Sequence, residues 1–199
     1  MMITFKKLPT KSTHIIGPLV IMLLAALAFI FNHELSHSFN FNRELITQDH
    51  WWLFITGHLF HTNDMHLVLN CAAVFLLWAL HGQFFTWQSY LTIWLLLALG
   101  TSIGLYIFSP EIISYVGLSG ILHGLFVIGA YKDIQVHEKT GYVLIVAVLV
   151  KVAYEQVYGA SEEVIQLIEA NVAIDAHLYG VICGFLVAIT LYLVSKKQQ

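Results

Sequence analysis

The sequence predicts an all-α, polytopic membrane protein, and three observations carry that prediction. Of its 199 residues, 58% are hydrophobic and only 11% are charged, against roughly 25% charged in a water-soluble domain. Mean hydropathy is +0.76. The apolar runs are continuous, as spanning helices of about 20 residues require, whereas a membrane β-barrel shows alternation over segments of about ten residues. A formal charge of -3 without any basic stretch argues against a nucleic-acid partner.

Six apolar segments follow in order, together forming one domain over 1–199. The first, about 15–31, sits behind Lys6, Lys7 and Lys11 like a secretory signal. It ends in Phe31-Asn32-His33-Glu34 with no small-x-small cleavage site, so an uncleaved helix is expected. A polar, aromatic stretch from Asn32 to Met65 is too long for a simple turn. The second helix covers about 66–80. The third covers about 87–108, with Trp87, Trp94 and Tyr106 expected as interface anchors. The fourth, about 119–131, is short for a full crossing. The fifth covers about 141–158, and the sixth about 175–194, stopping before Lys196 and Lys197. Cys71 and Cys183 fall inside apolar runs and read as buried thiols, not a disulfide framework.

Charge sets the expected orientation. With six crossings, Lys6, Lys7, Lys11, Lys132, Lys139, Lys196 and Lys197 share one side, leaving only Arg43 and Lys151 of the nine basic residues. The positive-inside rule places both termini in the cytoplasm. The second, fourth and sixth helices then all start at the outer face, bringing His66 and Asn70, Ser119, and His177 to one depth.

Polar groups at that depth are costly unless paired, so they face a bundle interior or a wet cavity. A transmembrane serine taken singly mostly bonds a preceding carbonyl or packs between helices. Ser119 differs because Gly117, Gly120 and Gly124 strip side chains from its surroundings. A helix start also offers unpaired N–H groups that can hold an oxyanion. His177 can take the hydroxyl proton and return it to a leaving amine. Asp175, two residues away, projects elsewhere, so a Ser-His dyad is the expectation. His66 and Asn70, four apart on one face, suit either oxyanion donors or an interhelical hydrogen bond.

Gly117-Leu118-Ser119-Gly120-Ile121-Leu122-His123-Gly124 resembles the Gly-x-Ser-Gly signature of the rhomboid intramembrane serine proteases. Ala176-His177-Leu178-Tyr179-Gly180-Val181-Ile182-Cys183-Gly184 is similar to that family's last-helix motif, and His66-Leu67-Val68-Leu69-Asn70 to its His-x-x-x-Asn. The resemblance implies a six-helix rhomboid-like bundle, Ser119 as nucleophile, His177 as base, and His66 and Asn70 on the oxyanion. It also implies a water-filled cavity open to the outer face. Ala176, Gly180 and Gly184 form a small-xxx-small stripe that would press the sixth helix against the fourth.

Within the family the chain is most similar to the rhombosortase branch, which shares the Gly-Leu-Ser-Gly-Ile-Leu-His-Gly run and Lys151-Val152-Ala153-Tyr154-Glu155-Gln156. That likeness implies a bacterial inner-membrane protease that needs no cofactor and acts as a monomer on clients with a C-terminal Gly-Gly motif, one hydrophobic helix and a basic tail. Many rhomboids carry an aromatic residue four positions after the serine; His123 stands there, as a positioning group, a donor or a packed histidine. The first loop's Trp51-Trp52 only loosely echoes the family's Trp-Arg pair.

Two rival readings concern metal and transport. His33-Glu34-Leu35-Ser36-His37 matches the zinc-protease pattern H-E-x-x-H, but no third ligand motif accompanies it. His58 and His61 are expected as solvated interfacial histidines. Lys151 and Glu155, an i, i+4 pair in the fifth helix, read as a structural ion pair or a contact for the client's tail. A rhomboid-like protein that binds clients without cutting them is the non-enzymatic alternative, and the intact Ser119 and His177 argue against it.

Overall fold

The structure, a computed structural model, describes residues 8–197. Lys6 and Lys7, part of the N-terminal basic cluster, lie outside the described residues. The chain is an all-α bundle built from α1 (Ser12–Ile30), α5 (Asp64–His81), α6 (Trp87–Phe108), α7 (Ser119–Gln135), α8 (Thr140–Tyr158) and α10 (Ile174–Lys197). Short helices α2 (Asn32–Phe39), α3 (Arg43–Ile46) and α4 (Leu53–Thr56) fill the first long connection, and α9 (Glu162–Ile168) fills the last.

Among the described residues, five helices are long and apolar enough to cross a membrane: α1, α5 with its 3-10 extension, α6, α8 and α10. The protein is a multi-pass membrane protein. Leu19 and Leu23 on α1, Val143 and Val157 on α8, and Leu186 on α10 are exposed in a way that only lipid satisfies. The exception is α7, whose 17 residues reach about 26 Å at 1.5 Å per residue, less than a hydrocarbon core of about 30 Å. It is enclosed by α10, α8, α5 and α6, with Ile121, Val127, Ile128 and Ala130 fully buried. Ser119 is the first residue of this short, enclosed helix.

Close approach at this centre is a matter of missing side chains. A Cβ on Gly180 would overlap the Gly120 carbonyl oxygen, and one on Gly184 would lie 2.7 Å from the Gly124 carbonyl oxygen. Reciprocally, Cβ atoms on Gly120 and Gly124 would lie 2.9 and 2.8 Å from the Ala176 and Gly180 carbonyls. Helices α7 and α10 therefore touch backbone to backbone, the geometry that small residues permit within a membrane. At the other end of α7, buried His81 Nε2 lies 3.2 Å from Asp133 Oδ2, tying α5 to α7.

The first connection is compact. Strand β1 (Phe41–Asn42) pairs antiparallel with β2 (Ser114–Tyr115), Phe41 opposite Tyr115, just before α7. Asn42 caps α3 by accepting from the Glu44 and Leu45 amides. Arg43 reaches the end of α6 and donates to the carbonyls of Tyr106 at 2.7 Å, Leu105 at 2.9 Å, Ser109 at 2.9 Å and Ile112 at 3.3 Å. These carbonyls lie in the last turn of α6 and just beyond it. Trp94 is not an interface anchor: only 6% exposed, it belongs to the core with Leu97, Ala98 and Leu125.

Candidate active site

The loop before α7 turns at Gly117, whose φ of +117° favours a residue without Cβ. Three groups hold that turn. The Tyr115 hydroxyl donates to the Gly117 carbonyl at 2.6 Å, the Gly117 amide donates to Gly57 at 3.3 Å, and His58 Nδ1 lies 3.3 Å from the same Gly117 carbonyl. Burial pushes the Tyr115 phenol up, keeping it a protonated donor. On its other side, His58 Nε2 lies 3.1 Å from the Ala98 carbonyl and 2.9 Å from Ser102 Oγ, whose hydroxyl can donate to it.

Contrary to the sequence-based expectation, His58 and His61 are not solvated: they are 0% and 1% exposed. The apolar residues around the first connection close over them, which histidine counting could not reveal. Burial holds His58 down to about 4 from an ordinary 6.5, so it is neutral in the native protein. Unfolded, it takes up a proton near pH 6.5; folded, only near pH 4. Its share of stability is thus complete above pH 6.5 and lost as pH falls from 6.5 to 4. The thermal midpoint in micelles will accordingly drop between pH 7.5 and 5, and His58→Gln will shrink that drop. An equal drop in the variant would assign the effect to other groups.

Past the turn, α7 opens at Ser119. The Leu122 amide is the first to reach an intrahelical acceptor, Leu118, so the amides before it look outside the helix for partners, and the Gly120 amide meets the Tyr115 hydroxyl. Ser119 Oγ lies 2.9 Å from His177 Nε2, in the first turn of α10. His177 Nδ1 lies 2.9 Å from Glu155 Oε2, an atom that only accepts. The neutral ring therefore carries its proton on Nδ1 and offers a lone pair at Nε2 to the Ser119 hydroxyl. The carboxylate that meets His177 comes from α8, not from the stretch of sequence around His177. Asp175 instead accepts from Ser109 and, at 3.4 Å, from Gln156.

Beside Gly117 stand the residues of α5. A Cβ on Gly117 would lie 2.8 Å from His66 Nε2 and 3.7 Å from Asn70 Nδ2. The Thr62 amide, 3.4 Å away, and hydroxyl, 3.1 Å away, both face His66 Nδ1. The other ring nitrogen, His66 Nε2, faces the turn at Gly117. Asn70 Nδ2 is buried and has no hydrogen-bond partner. An unpaired buried donor is costly and suits an acceptor that arrives only with a substrate.

His123, one turn after Ser119, stacks on His177 with ring centroids 4.2 Å apart and planes at 21°. Its Nδ1–H donates to the Ser119 carbonyl at 2.7 Å, and Nε2 accepts from Lys151 Nζ at 2.8 Å. His123, Glu155 and His177 bring donor atoms within 4.8 Å of one another, close enough to suggest a metal. The centre of that cluster holds the Lys151 ammonium, 2.8 Å from Glu155 Oε1 and 3.3 Å from His177 Nδ1. His33 and His37 sit on α2, outside this cluster.

A cleft of about 330 Å³ leads to the serine. Ser119 and His66 line its floor with His61 and Tyr115, while Ile168 and Ala170–Ala173 form a wall. His177 and Asn70 are buried behind that floor.

Residues 48–194 match the family model described as the Rhomboid domain. The chain belongs to the rhomboid family. A rhomboid relative, named "Putative rhomboid protease YdcA", comes from Bacillus subtilis (strain 168). It is 25% identical over 186 residues, covering 90% of this chain and 89% of the relative. At family level these likenesses are to intramembrane serine proteases. The matched rhomboid region contains Ser119, His177, His66, Asn70 and also Glu155.

Proposed function

We propose that the protein is an intramembrane serine endopeptidase of the rhombosortase type, removing C-terminal membrane anchors from exported proteins. The observation that carries this reading is the 2.9 Å approach of Ser119 Oγ to His177 Nε2 at the foot of an open cleft. Ser119 Oγ attacks the scissile carbonyl while His177 Nε2 takes its proton. Asn70 Nδ2–H, His66 Nε2–H and the Ser119 amide at the start of α7 hold the oxyanion. The C–N bond then breaks as His177 returns the proton to the leaving amine. Water, deprotonated by the same nitrogen, releases the acyl group as a carboxylate and regenerates the serine.

The client class rests on the rhombosortase likeness: an ectodomain, a Gly-Gly motif, one hydrophobic helix and a basic tail. Glycines suit the chemistry, because a helical client must unwind before a peptide bond reaches Ser119, and glycine disfavours helix by about 1 kcal/mol relative to alanine. The protein resides in a bacterial inner membrane as a monomer, its termini in the cytoplasm and its cleft open to the periplasm. The scarcity of Lys and Arg at the cleft's end and the lysines at the other support that orientation.

The test is a reconstituted cleavage assay with a reporter carrying a Gly-Gly tail, beside the same reporter with Leu-Leu. Cleavage near the glycine pair by the native protein, absent with His177→Ala, is expected. Equal processing by His177→Ala sinks the assigned base, and equal cleavage of the Leu-Leu reporter sinks the client class.

A further inference from the structure

The reaction above uses no ionic group from α8, yet α8 carries both Lys151 and Glu155 in a membrane-length helix. Removing ions from water costs several kcal/mol each, so intramembrane ion pairs are retained where they act on something. A merely structural i, i+4 pair would satisfy itself. This one does not: Glu155 gives Oε1 to Lys151 at 2.8 Å and turns Oε2 to His177 Nδ1 at 2.9 Å.

We infer that Glu155 is the third member of a Ser119–His177–Glu155 triad, held by Lys151 and His123 as positioning residues. The inference rests on the serine-protease reading. When His177 takes the Ser119 proton it becomes an imidazolium, and the Glu155 carboxylate stabilises that cation across the Nδ1–H bond. The proton stays on Nδ1 and no bond at Glu155 is made or broken. In the resting state the same bond fixes the tautomer that leaves Nε2 unprotonated, the role a buried carboxylate plays in soluble serine proteases. Glu155 is 12% exposed at its side chain and His177 6%, so water screens the contact little.

Lys151 and His123 complete the brace. The Lys151 stem comes from the half-exposed face of α8, and its ammonium bridges Glu155 and His123. His123 lies flat against the His177 ring, and its Nδ1–H holds the Ser119 carbonyl. One side chain thus links the backbone of the nucleophile, the face of the base and the ion pair. Tilting the imidazole breaks the stack and stretches the Glu155 bond together. Asp175, the nearer carboxylate in sequence, is engaged by Ser109 and cannot substitute.

The experiment compares the native protein with Glu155→Gln, Glu155→Ala, and Glu155→Gln combined with Lys151→Met, measuring client cleavage and thermal midpoint. Glu155→Gln is expected to lower kcat at least 100-fold with KM within threefold. Added formate is expected to restore part of the kcat of Glu155→Ala. The double variant removes both charges, so its thermal midpoint recovers toward the native value while kcat stays low. Overturning results are a kcat within threefold of native in Glu155→Gln, or losses that formate leaves unchanged and that the double variant reverses along with stability. Failure of the underlying reading looks different: the native protein would react with a fluorophosphonate no faster than Ser119→Ala.

Discussion

Replacing Ser119 by alanine takes fluorophosphonate labelling to background and client cleavage below detection, while leaving the fold intact. The side chain meets His177 Nε2 and the Tyr115 hydroxyl, so the stability change is within about 3 kcal/mol. The catalytic loss is far larger. In a soluble serine protease, losing the nucleophile costs about 10⁶ in kcat, equivalent to about 8 kcal/mol of transition-state stabilisation. Members of such a unit fail together, so Ser119→Ala with His177→Ala should be no slower than either alone. Labelling of native membranes that survives Ser119→Ala would point to another nucleophile. Cleavage lost to a chelator would instead revive the zinc reading on His33 and His37.

Gly180→Ala is expected to be the most damaging single methyl group in the protein. Its Cβ would overlap the Gly120 carbonyl oxygen, part of a backbone one turn from neither a rotamer nor a flexible end. No side chain can swing away, so α10 must retreat from α7. Overpacking of this kind costs about 3 kcal/mol or more. Because His177 is three residues before Gly180 on the same helix, the retreat also lengthens the 2.9 Å approach to Ser119. The expected result is a fall in thermal midpoint together with lost labelling. Ala188→Gly, on the same helix at a buried position away from Ser119, should lower stability without lengthening that approach. Native labelling in Gly180→Ala would refute the seam as the determinant of the site.

The bundle was legible because lipid imposes a coarse code: helices must be long, apolar and internally bonded. The Ser119 and His177 positions were legible because their glycines stand in fixed spacing around them. Glu155 was not, although Lys151-Val152-Ala153-Tyr154-Glu155-Gln156 was visible as an oddity in an apolar helix. Two charges four apart satisfy each other on paper, and only the rotation of α8 about its axis reveals that one of them faces His177. The available signal was the cost of the pair. His58 and Tyr115 were hidden for another reason: both act through the Gly117 carbonyl, a backbone atom that no sequence pattern marks. Trp94 departs from the expected anchor role because it sits two turns inside α6, on the face that packs into the core.

The Arg43 clamp has an electrostatic consequence. Its guanidinium donates to four carbonyls at the end of α6 and lies 4.9 Å from the Tyr106 ring, so its donors are already directed into the protein. Of the connecting segments at the Ser119 end, it is also the sole Lys or Arg. Glu162, Glu163 and Glu169 flank the cleft wall without a basic neighbour in their own segment. That end therefore gathers counter-cations from solution, over a range of about 8 Å at physiological ionic strength. A client stalk bearing lysine or arginine meets an attractive field as it nears the cleft, and an acidic stalk meets a repulsive one.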